Sequence, residues 1–304
     1  MSDALLVVGS VAFDSVQSRA GSRDELLGGA ATYIGLAASH FCPVQLVAVV
    51  GENDFPQQYE TLLSSRGVDL AGLEKAPGRT FRWAGRYADD FSTRETLDTQ
   101  LGVFADFAPK IPAAFRDAKM LLLGNINPSV QRDVLDAVSP DCFVITDTMN
   151  LWIEIALEEL KAVIARTSLL VINDEESLLL TGEPQVAVAA QKIRAMGPSW
   201  VIIKRGEHGA WLFGDEGIFL APPLPLEEVV DPTGAGDSFA GGLAGFLCQS
   251  GAPSWPAVKR GMLYGTAIAS GTCEAFGTEK TASLTRDDID ARYRRLRQLV
   301  SHDD

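Results

Sequence analysis

Short apolar runs alternate with longer segments of helical periodicity along most of the chain. Six runs are almost wholly apolar, which is typical of strands buried on both faces of a parallel sheet. These predicted strands are Leu5–Val8, Gln45–Val50, Met120–Leu123, Phe143–Thr146, Leu169–Ile172 and Val201–Lys204. Helices are predicted at about 29–40, 55–66, 130–138, 152–166, 174–181, 185–196, 237–249, 254–271 and 286–300. The alternation predicts an α/β fold with a mostly parallel central sheet covered by helices.

One segment departs from this alternation. Between Thr80 and Tyr87 the side chains of Phe81, Trp83 and Tyr87 fall on one side of a period-two pattern, which predicts a strand with one apolar face. The polar residues 89–99 follow and could form its return strand. This predicts a small antiparallel flap outside the main sheet. An edge hairpin packed on the core fits the pattern equally well.

The chain shows no linker and no internal repeat, so residues 1–304 are predicted to form a single domain. It has 26 Lys and Arg against 40 Asp and Glu, a net charge of −14. A surface this acidic repels phosphate backbones and anionic lipid, so neither a nucleic-acid nor a membrane partner is predicted. The small apolar run at the N-terminus is too short for a signal peptide, and the four scattered cysteines indicate a reducing cytoplasm.

The strongest chemical signal is the string DPTGAGD at residues 231–237, which precedes a segment of helical periodicity. Glycines at 234 and 236 allow backbone N–H groups to converge at a helix N-terminus, where they can bind a phosphate or a developing negative charge. Asp237 stands beside this anion hole and could accept a proton from a hydroxyl. Its place near a helix N-terminus stabilises the anion and predicts a weak base. Phosphoryl transfer tolerates a weak base because it depends mostly on positioning and charge stabilisation.

A plain glycine turn followed by an acid in the first helical turn is the alternative from spacing alone. Three further glycines, Gly241, Gly242 and Gly245, lie inside the predicted helix. Each costs about 1 kcal/mol relative to alanine, which implies that another element approaches the helix closely.

The string DPTGAGDSFAGG resembles the C-terminal signature of the ribokinase, or PfkB, family of ATP-dependent carbohydrate kinases, and further landmarks of that family occur in the expected order. The resemblance implies a three-layer ribokinase-like sandwich with a small β-lid, formed here by segments at about 10–27 and 78–104. It also implies that a monovalent cation such as K⁺ lies near Asp231 and that lids can join two chains into a homodimer.

Two N-terminal motifs resemble the family's acceptor site. Residues 9–14 (GSVAFD) match the first strand, which implies that Asp14 holds substrate hydroxyls. The pair Gly28-Gly29 matches the glycines that bring backbone close to the substrate, and residues 50–54 (VGEND) resemble the family's VGxD turn. From the residues alone, Asp14 could be a turn residue and the glycine pair no more than the entry to a helix.

Later motifs resemble the nucleotide and metal side of the family's site. Asn173-Asp-Glu-Glu176 looks like the NxxE motif that helps to position magnesium and the phosphates. The same four residues are also a helix N-cap with an acid three positions later, which needs no metal, and the two interpretations are compatible. The resemblance implies nucleotide-binding positions at Asn173, Lys204, Gly206, Gly209, Thr233 and Gly277, and metal positions at Glu176 and Asp231.

The chain departs from the family at positions that bear on the acceptor. Tyr33 stands where the family often has Asn, and residues 146–152 lack the family's Arg, so hydrogen-bonding capacity is lost. Tyr33, Trp83 and Trp152 instead supply rings that could stack on a base or a sugar face, although each could be plain packing. The only clustered cations near the acceptor end are the flap residues Arg79, Arg82, Arg86 and Arg94, so a phosphosugar is not the expected acceptor.

The expected function is an ATP- and Mg²⁺-dependent kinase that phosphorylates a hydroxyl, most simply a hydroxymethyl group, of a neutral sugar or polyol. Asp237 is the predicted base, Gly234, Ala235 and Gly236 the predicted anion hole, and Asp14, Gly28, Gly29, Tyr33 and Trp83 the predicted acceptor residues. A nucleoside kinase of the same family is the alternative, and a non-catalytic nucleotide or sugar sensor is the alternative of another class. A dinucleotide-dependent oxidoreductase would need GxGxxG after an early strand, where residues 9–14 supply only the first glycine.

Overall fold

The computed structural model describes residues 4–301, which form two sheets and eleven α-helices. The strands are β1 (Leu5–Val8), β2 (Ala12–Ser18), β3 (Gly21–Gly28), β4 (Val44–Gly51), β5 (Val68–Ala76), β6 (Phe81–Tyr87), β7 (Arg94–Gln100), β8 (Met120–Leu123), β9 (Phe143–Asp147), β10 (Leu169–Asn173), β11 (Trp200–Lys204), β12 (Ala210–Gly214) and β13 (Gly217–Ala221). The helices are α1 (Ala30–Ala38), α2 (Gln57–Ser65), α3 (Pro128–Ala137), α4 (Asn150–Ile155), α5 (Leu157–Ile164), α6 (Asp174–Thr181), α7 (Val186–Arg194), α8 (Ala235–Ser250), α9 (Trp255–Thr272), α10 (Glu279–Ser283) and α11 (Arg286–Val300).

The main sheet has nine strands in the order β13-β12-β11-β10-β9-β8-β1-β4-β5. The seven strands from β11 to β5 are mutually parallel, and β12 and β13 add an antiparallel edge. All six predicted strands are present, so the expected α/β fold with a mostly parallel sheet is confirmed. The patterns of β5, β12 and β13 did not predict strands, because these lie at or next to the sheet edges and are not buried throughout.

Helices cover both faces of the main sheet. On β1, Leu5 and Val7 point into a core cluster shared with α1, α8 and α9, whereas Leu6 and Val8 point into the opposite cluster. Alternate residues of one strand are thus buried on opposite faces, which explains why the strand is wholly apolar. The helix predicted at 152–166 is in fact two helices, α4 and α5, separated at Ala156, whose φ of −142° is not helical. Within residues 4–301, no helix is both long enough and apolar enough to cross a membrane.

A separate four-stranded sheet lies outside the main one, in the order β3-β2-β6-β7. The hairpin β6–β7 is antiparallel, as the pattern predicted, but β6 also pairs in parallel with β2, so this small sheet is mixed. Asp54 holds the start of β6, because its carboxylate accepts hydrogen bonds from the Thr80 N–H at 3.0 Å and from Arg82 at 2.9 Å. The small sheet is therefore anchored to the turn that follows β4.

Helices α1 and α8 approach each other at backbone contact. A Cβ atom at Gly241 would lie 2.5 Å from the Ile34 carbonyl oxygen, and one at Gly245 would lie 2.7 Å from the carbonyl oxygen of Ala38. The glycines inside α8 are therefore there for close packing, as their cost in helix stability implied. This contact places the side chain of Tyr33 on α1 against the N-terminal turn of α8.

Candidate active site

The glycine turn before α8 is held by a buried carboxylate. Gly234 adopts a left-handed conformation (φ 73°) and caps α8, and Asp237 lies in the first turn of this helix. The two carboxylate oxygens of Asp231 accept hydrogen bonds from the backbone N–H groups of Thr233 at 2.8 Å and Gly277 at 2.9 Å. Asp231 is fully buried, so it ties the turn to the segment around Gly277.

The first N–H groups of α8 have no acceptor inside the helix and are available to an anion. Of the three predicted anion-hole positions, Ala235 already donates its N–H to the Pro232 carbonyl oxygen at 3.1 Å. At Gly236, by contrast, the only atoms of residues 4–301 within 4 Å of a built Cβ, apart from its chain neighbours and the α8 backbone, belong to the Lys204 side chain. The space beside Gly236 is therefore open to a ligand and is bordered by an ammonium group.

Asp237 is a stronger base than its helix position alone predicts. The pKa of Asp237 is raised from 3.8 to about 7, chiefly by burial and next by the negative charge of Asp147, whereas Lys204 and Arg94 oppose the rise. The expectation of a weak base considered only the helix dipole. Desolvation and a neighbouring carboxylate outweigh the dipole here and bring the pKa close to neutral pH, where a general base is most effective.

Asp14 lies on β2 in contact with the glycine pair. A Cβ at Gly28 would fall 2.0 Å from Asp14 Oδ2, so only glycine leaves room for this carboxylate. The N–H of Gly29, which begins α1 with a φ of 88°, donates to the same oxygen at 3.4 Å. Burial raises the pKa of Asp14 to about 7, and its charge in turn raises the pKa of Asp237. The structure thus brings two predicted site carboxylates together.

The small sheet contributes aromatic residues on the face that carries Asp14. Trp83 is the parallel partner of Asp14, and paired residues of adjacent strands point to the same face. The Trp83 ring packs over Gly85 and donates from Nε1 to Thr96 Oγ1 at 3.3 Å. Four residues after Trp83 on β6, the Tyr87 hydroxyl lies 3.1 Å from Thr233 Oγ1. This face of the small sheet therefore turns toward the N-terminus of α8.

Tyr33 lies near Asp14 and near Asp231 and Asp237, the two carboxylates of the glycine turn and α8. Its ring would overlap a side chain at Gly234, since a Cβ there would fall 2.4 Å from Tyr33 Cδ1. The tyrosine is only 1% exposed, and its hydroxyl has no hydrogen-bond partner in the described part of the chain. Burial, Asp14, Asp231 and Asp237 all raise the pKa of this phenol, so it stays a neutral donor. A buried donor without a partner is suited to a ligand hydroxyl.

Asn173 and Glu176 form a complete capping box at the start of α6. Asn173 Oδ1 accepts the Glu176 N–H at 2.7 Å, and Glu176 Oε2 accepts the Asn173 N–H at 3.0 Å. The pKa of Glu176 is raised to about 7, chiefly by burial; Lys204 opposes the rise and Asp147 adds to it. The cap therefore holds a buried carboxylate at the carboxyl edge of the sheet.

Lys204 and Asp147 form an ion pair in the same region. Lys204 Nζ lies 3.1 Å from Asp147 Oδ1, and the two side chains are 18% and 7% exposed. Sequence reasoning assigned Lys204 to the nucleotide but did not select Asp147 or Arg94. The signal for Asp147 was its place at the end of a parallel strand, where open α/β sheets bind ligands. Arg94 was noted only within a cluster, although its charge lowers the pKa values of Asp14, Glu176 and Asp237.

Of the remaining predicted positions, Gly206 borders open space, whereas Gly209, Gly277 and Trp152 make contacts that support the fold. Gly206, two residues after Lys204, has a φ of 51°, and beyond its own local backbone no atom in the described part of the chain lies within 4 Å of a built Cβ, so the space beside it is open. Gly209 contacts the Ala221 carbonyl oxygen and supports the β12–β13 hairpin, while Gly277 belongs to the Asp231 anchor. Trp152 donates from Nε1 to Asn125 Oδ1 at 2.8 Å and packs on the core, which makes it a packing residue.

No group of three His, Cys, Asp or Glu side chains in residues 4–301 is arranged to hold a metal ion. Magnesium in nucleotide sites typically takes one or two carboxylates together with phosphate oxygens and waters. Glu176, in the first turn of α6 beside the open position at Gly206, fits that kind of site, whereas Asp147 is already paired with Lys204.

Three comparisons with known proteins bear on the family and fold of this chain. The family model described as pfkB family carbohydrate kinase matches residues 3–283. A cytidine kinase of Thermococcus kodakarensis is 32% identical over 264 residues, which cover 85% of this chain and 93% of the relative. An aminoimidazole riboside kinase of Salmonella typhimurium is 38% identical over 90 residues, 28% of each chain.

Solved structures share the fold over nearly the whole chain. A putative ribokinase II from E. coli, in complex with ATP and Mg²⁺, superposes with a TM-score of 0.81 at 19% identity and covers 97% of this chain and 100% of its own. A nucleoside kinase of Burkholderia thailandensis in complex with inosine gives a TM-score of 0.77 at 21% identity, with 96% and 97% covered. These similarities confirm the ribokinase-like fold.

Proposed function

Because the chain belongs to the pfkB family of carbohydrate kinases, we propose that it transfers the γ-phosphoryl group of ATP to a hydroxyl group of a sugar or a nucleoside. The observation that carries this proposal is Asp237, a carboxylate with a pKa of about 7 in the first turn of α8. It lies beside helix N–H groups that can bind a phosphate and on the same side as the acceptor candidate Asp14.

Asp237 would accept the proton of the acceptor hydroxyl as its oxygen attacks the γ-phosphorus. The N–H groups at the start of α8 would stabilise the charge that spreads over the phosphoryl oxygens. Glu176, supported by Asn173, would hold Mg²⁺ through water, and the bound ion would neutralise phosphate charge. The E. coli neighbour solved with ATP and Mg²⁺ supports this choice of co-substrate and ion.

The acceptor would be held by Asp14, the Gly29 N–H, Tyr33 and Trp83. A nucleoside is the candidate favoured by two observations: the half-buried Trp83 on the face that carries Asp14, and the cytidine kinase that is 32% identical over most of both chains. An indole can stack on a base, whereas the carboxylate is suited to ribose hydroxyls.

The finer parts of the proposal concern the surroundings of this site. We propose that the small sheet is the lid, that chains dimerise through it, and that K⁺ binds near Asp231. All seven residues of the edge strand β7 are exposed, which supports an interface there. Asp231 would act by fixing the turn, since both of its carboxylate oxygens accept backbone N–H groups. A kinase that consumes ATP is expected in the cytoplasm.

The decisive experiment is acceptor-dependent ADP release with Mg-ATP on a panel of nucleosides, sugars and polyols. At least one acceptor should be phosphorylated, and Asp237→Asn should lower turnover about 10²–10⁴-fold while nucleotide binding persists. A protein that binds nucleotide and acceptor but phosphorylates none of the panel would be a sensor. Unchanged turnover in Asp237→Asn would remove this residue from the mechanism.

A further inference from the structure

The ammonium of Lys204 lies among three carboxylates that come from three different elements. Asp147 ends β9, Glu176 lies in the first turn of α6, and Asp237 lies in the first turn of α8. Each of these charges raises the pKa of Lys204, which keeps the amine protonated despite its burial. The Lys204 ammonium is therefore a largely buried positive charge where the ends of β9 and β11 meet the start of α8.

The Lys204 ammonium lies beside Gly236, in the first turn of α8. A Cβ at Gly236 would lie 3.2 Å from Lys204 Nζ and 4.0 Å from Cε, and apart from its chain neighbours and the α8 backbone no other atom of the described residues lies within 4 Å. In a helix the Cα–Cβ bond tilts toward the N-terminus, which is also the direction in which the free N–H groups point. The lysine therefore borders the same space that the first N–H groups of α8 face.

We propose that Lys204 contacts the phosphoryl group during transfer and that Asp147 is the positioning residue that holds its ammonium. The inference rests on the proposed kinase function and names an additional catalytic residue for it. A lysine is a point charge that binds phosphate without demanding a fixed geometry, and here it is partly shielded from water, where its charge acts strongly.

Lys204 neither donates nor accepts a proton in the chemical step. The acceptor oxygen forms a bond to the γ-phosphorus, the bond from that phosphorus to the β-phosphate oxygen breaks, and ADP leaves. The acceptor proton goes to Asp237. Lys204 remains an ammonium throughout and compensates negative charge on the phosphoryl oxygens, which is where phosphoryl transfer places it.

The competing explanation is that Lys204 and Asp147 form an ion pair that only stabilises the fold. Nucleotide binding distinguishes this explanation from a contact with the phosphoryl group. In Lys204→Met, which keeps the length of the side chain and removes its charge, affinity for the ATP analogue AMP-PNP should fall at least about tenfold. Affinity for ADP should change less than about twofold, because ADP lacks the phosphate that faces Gly236. Turnover should fall about 10²–10³-fold, the effect of losing one donor to a charged transition state. Lys204→Arg should recover part of both losses.

A double variant distinguishes the loss of a phosphate contact from a loss of folding stability. Lys204→Met leaves Asp147 buried without its cation, which destabilises the chain, and Lys204→Met/Asp147→Asn relieves this by removing both charges. The melting temperature of the double variant should return toward that of the parent, while turnover should stay low. Recovery of turnover together with stability would show that the pair is only structural and would overturn the proposal.

Lys161→Met is the matched control, because Lys161 pairs with Glu158 on the exposed surface of α5 and should leave binding and turnover unchanged. Equal weakening of AMP-PNP and ADP by Lys204→Met would also refute the role at the terminal phosphate. If the parent and Lys161→Met phosphorylate no acceptor, the proposed function fails by itself. The difference between AMP-PNP and ADP binding would still report separately on Lys204.

Discussion

Asp237 is expected to make the folded protein less stable at neutral and alkaline pH than an uncharged residue would. Its pKa is raised from 3.8 to about 7, chiefly because burial removes water from the carboxylate. A group whose pKa is higher in the folded than in the unfolded state favours folding when protonated, so this contribution is complete below pH 4. It is lost as the pH rises through 7. Asp237→Asn should therefore stabilise the chain at pH 8 and lose that advantage at pH 4.

The size of the effect follows from the two pKa values. Each pH unit between them corresponds to about 1.4 kcal/mol, so a pKa raised from 3.8 to about 7 costs at most about 4 kcal/mol at pH 8. With an unfolding entropy of about 2.1 cal/mol/K per residue over 304 residues, removing this cost should raise the melting temperature by up to about 6 °C.

The assay is thermal unfolding of the parent and Asp237→Asn at pH 8 and pH 4, together with turnover as a function of pH. Turnover of the parent should fall as the pH drops below 7, because the base becomes protonated. Asp287→Asn is the control, since Asp287 is an exposed acid in the first turn of α11 and its loss should slightly lower stability at pH 8. A gain of the same size at pH 4 would assign the effect of Asp237→Asn to packing rather than ionisation. No gain at pH 8 would contradict the desolvation argument.

Two further substitutions test the acceptor side. Trp83→Ala should raise the acceptor KM about tenfold or more with little change in the KM for ATP, because the indole that would stack on the acceptor is lost; equal effects on both constants would show that Trp83 is a packing residue. Tyr33→Phe should raise stability by about 1 kcal/mol, because a buried hydroxyl without a partner is removed, while the acceptor KM rises. An unchanged acceptor KM would place the Tyr33 hydroxyl outside the acceptor site.

The α/β fold and the place of the proposed base, Asp237, in the first turn of a helix followed from local features of the sequence. The runs Leu5–Val8 and Leu169–Ile172 are apolar throughout because both faces of those strands are covered, and this shows in the sequence without any partner. DPTGAGD followed by a helical apolar pattern likewise places Asp237 in the first turn of a helix, since glycine turns and helix periodicity are properties of neighbouring residues.

The raised pKa of Asp237, by contrast, depends on the tertiary structure. The pKa of Asp237 depends on its burial and on Asp147, Lys204, Asp14 and Arg94, which reach it from four different strands. The Lys204–Asp147 pair joins residues 57 positions apart, and the helix N-terminus alone suggested a pKa on the opposite side of the ordinary value. Desolvation and charge act through space, so these effects appear only when the strand ends, the small sheet and α8 come together.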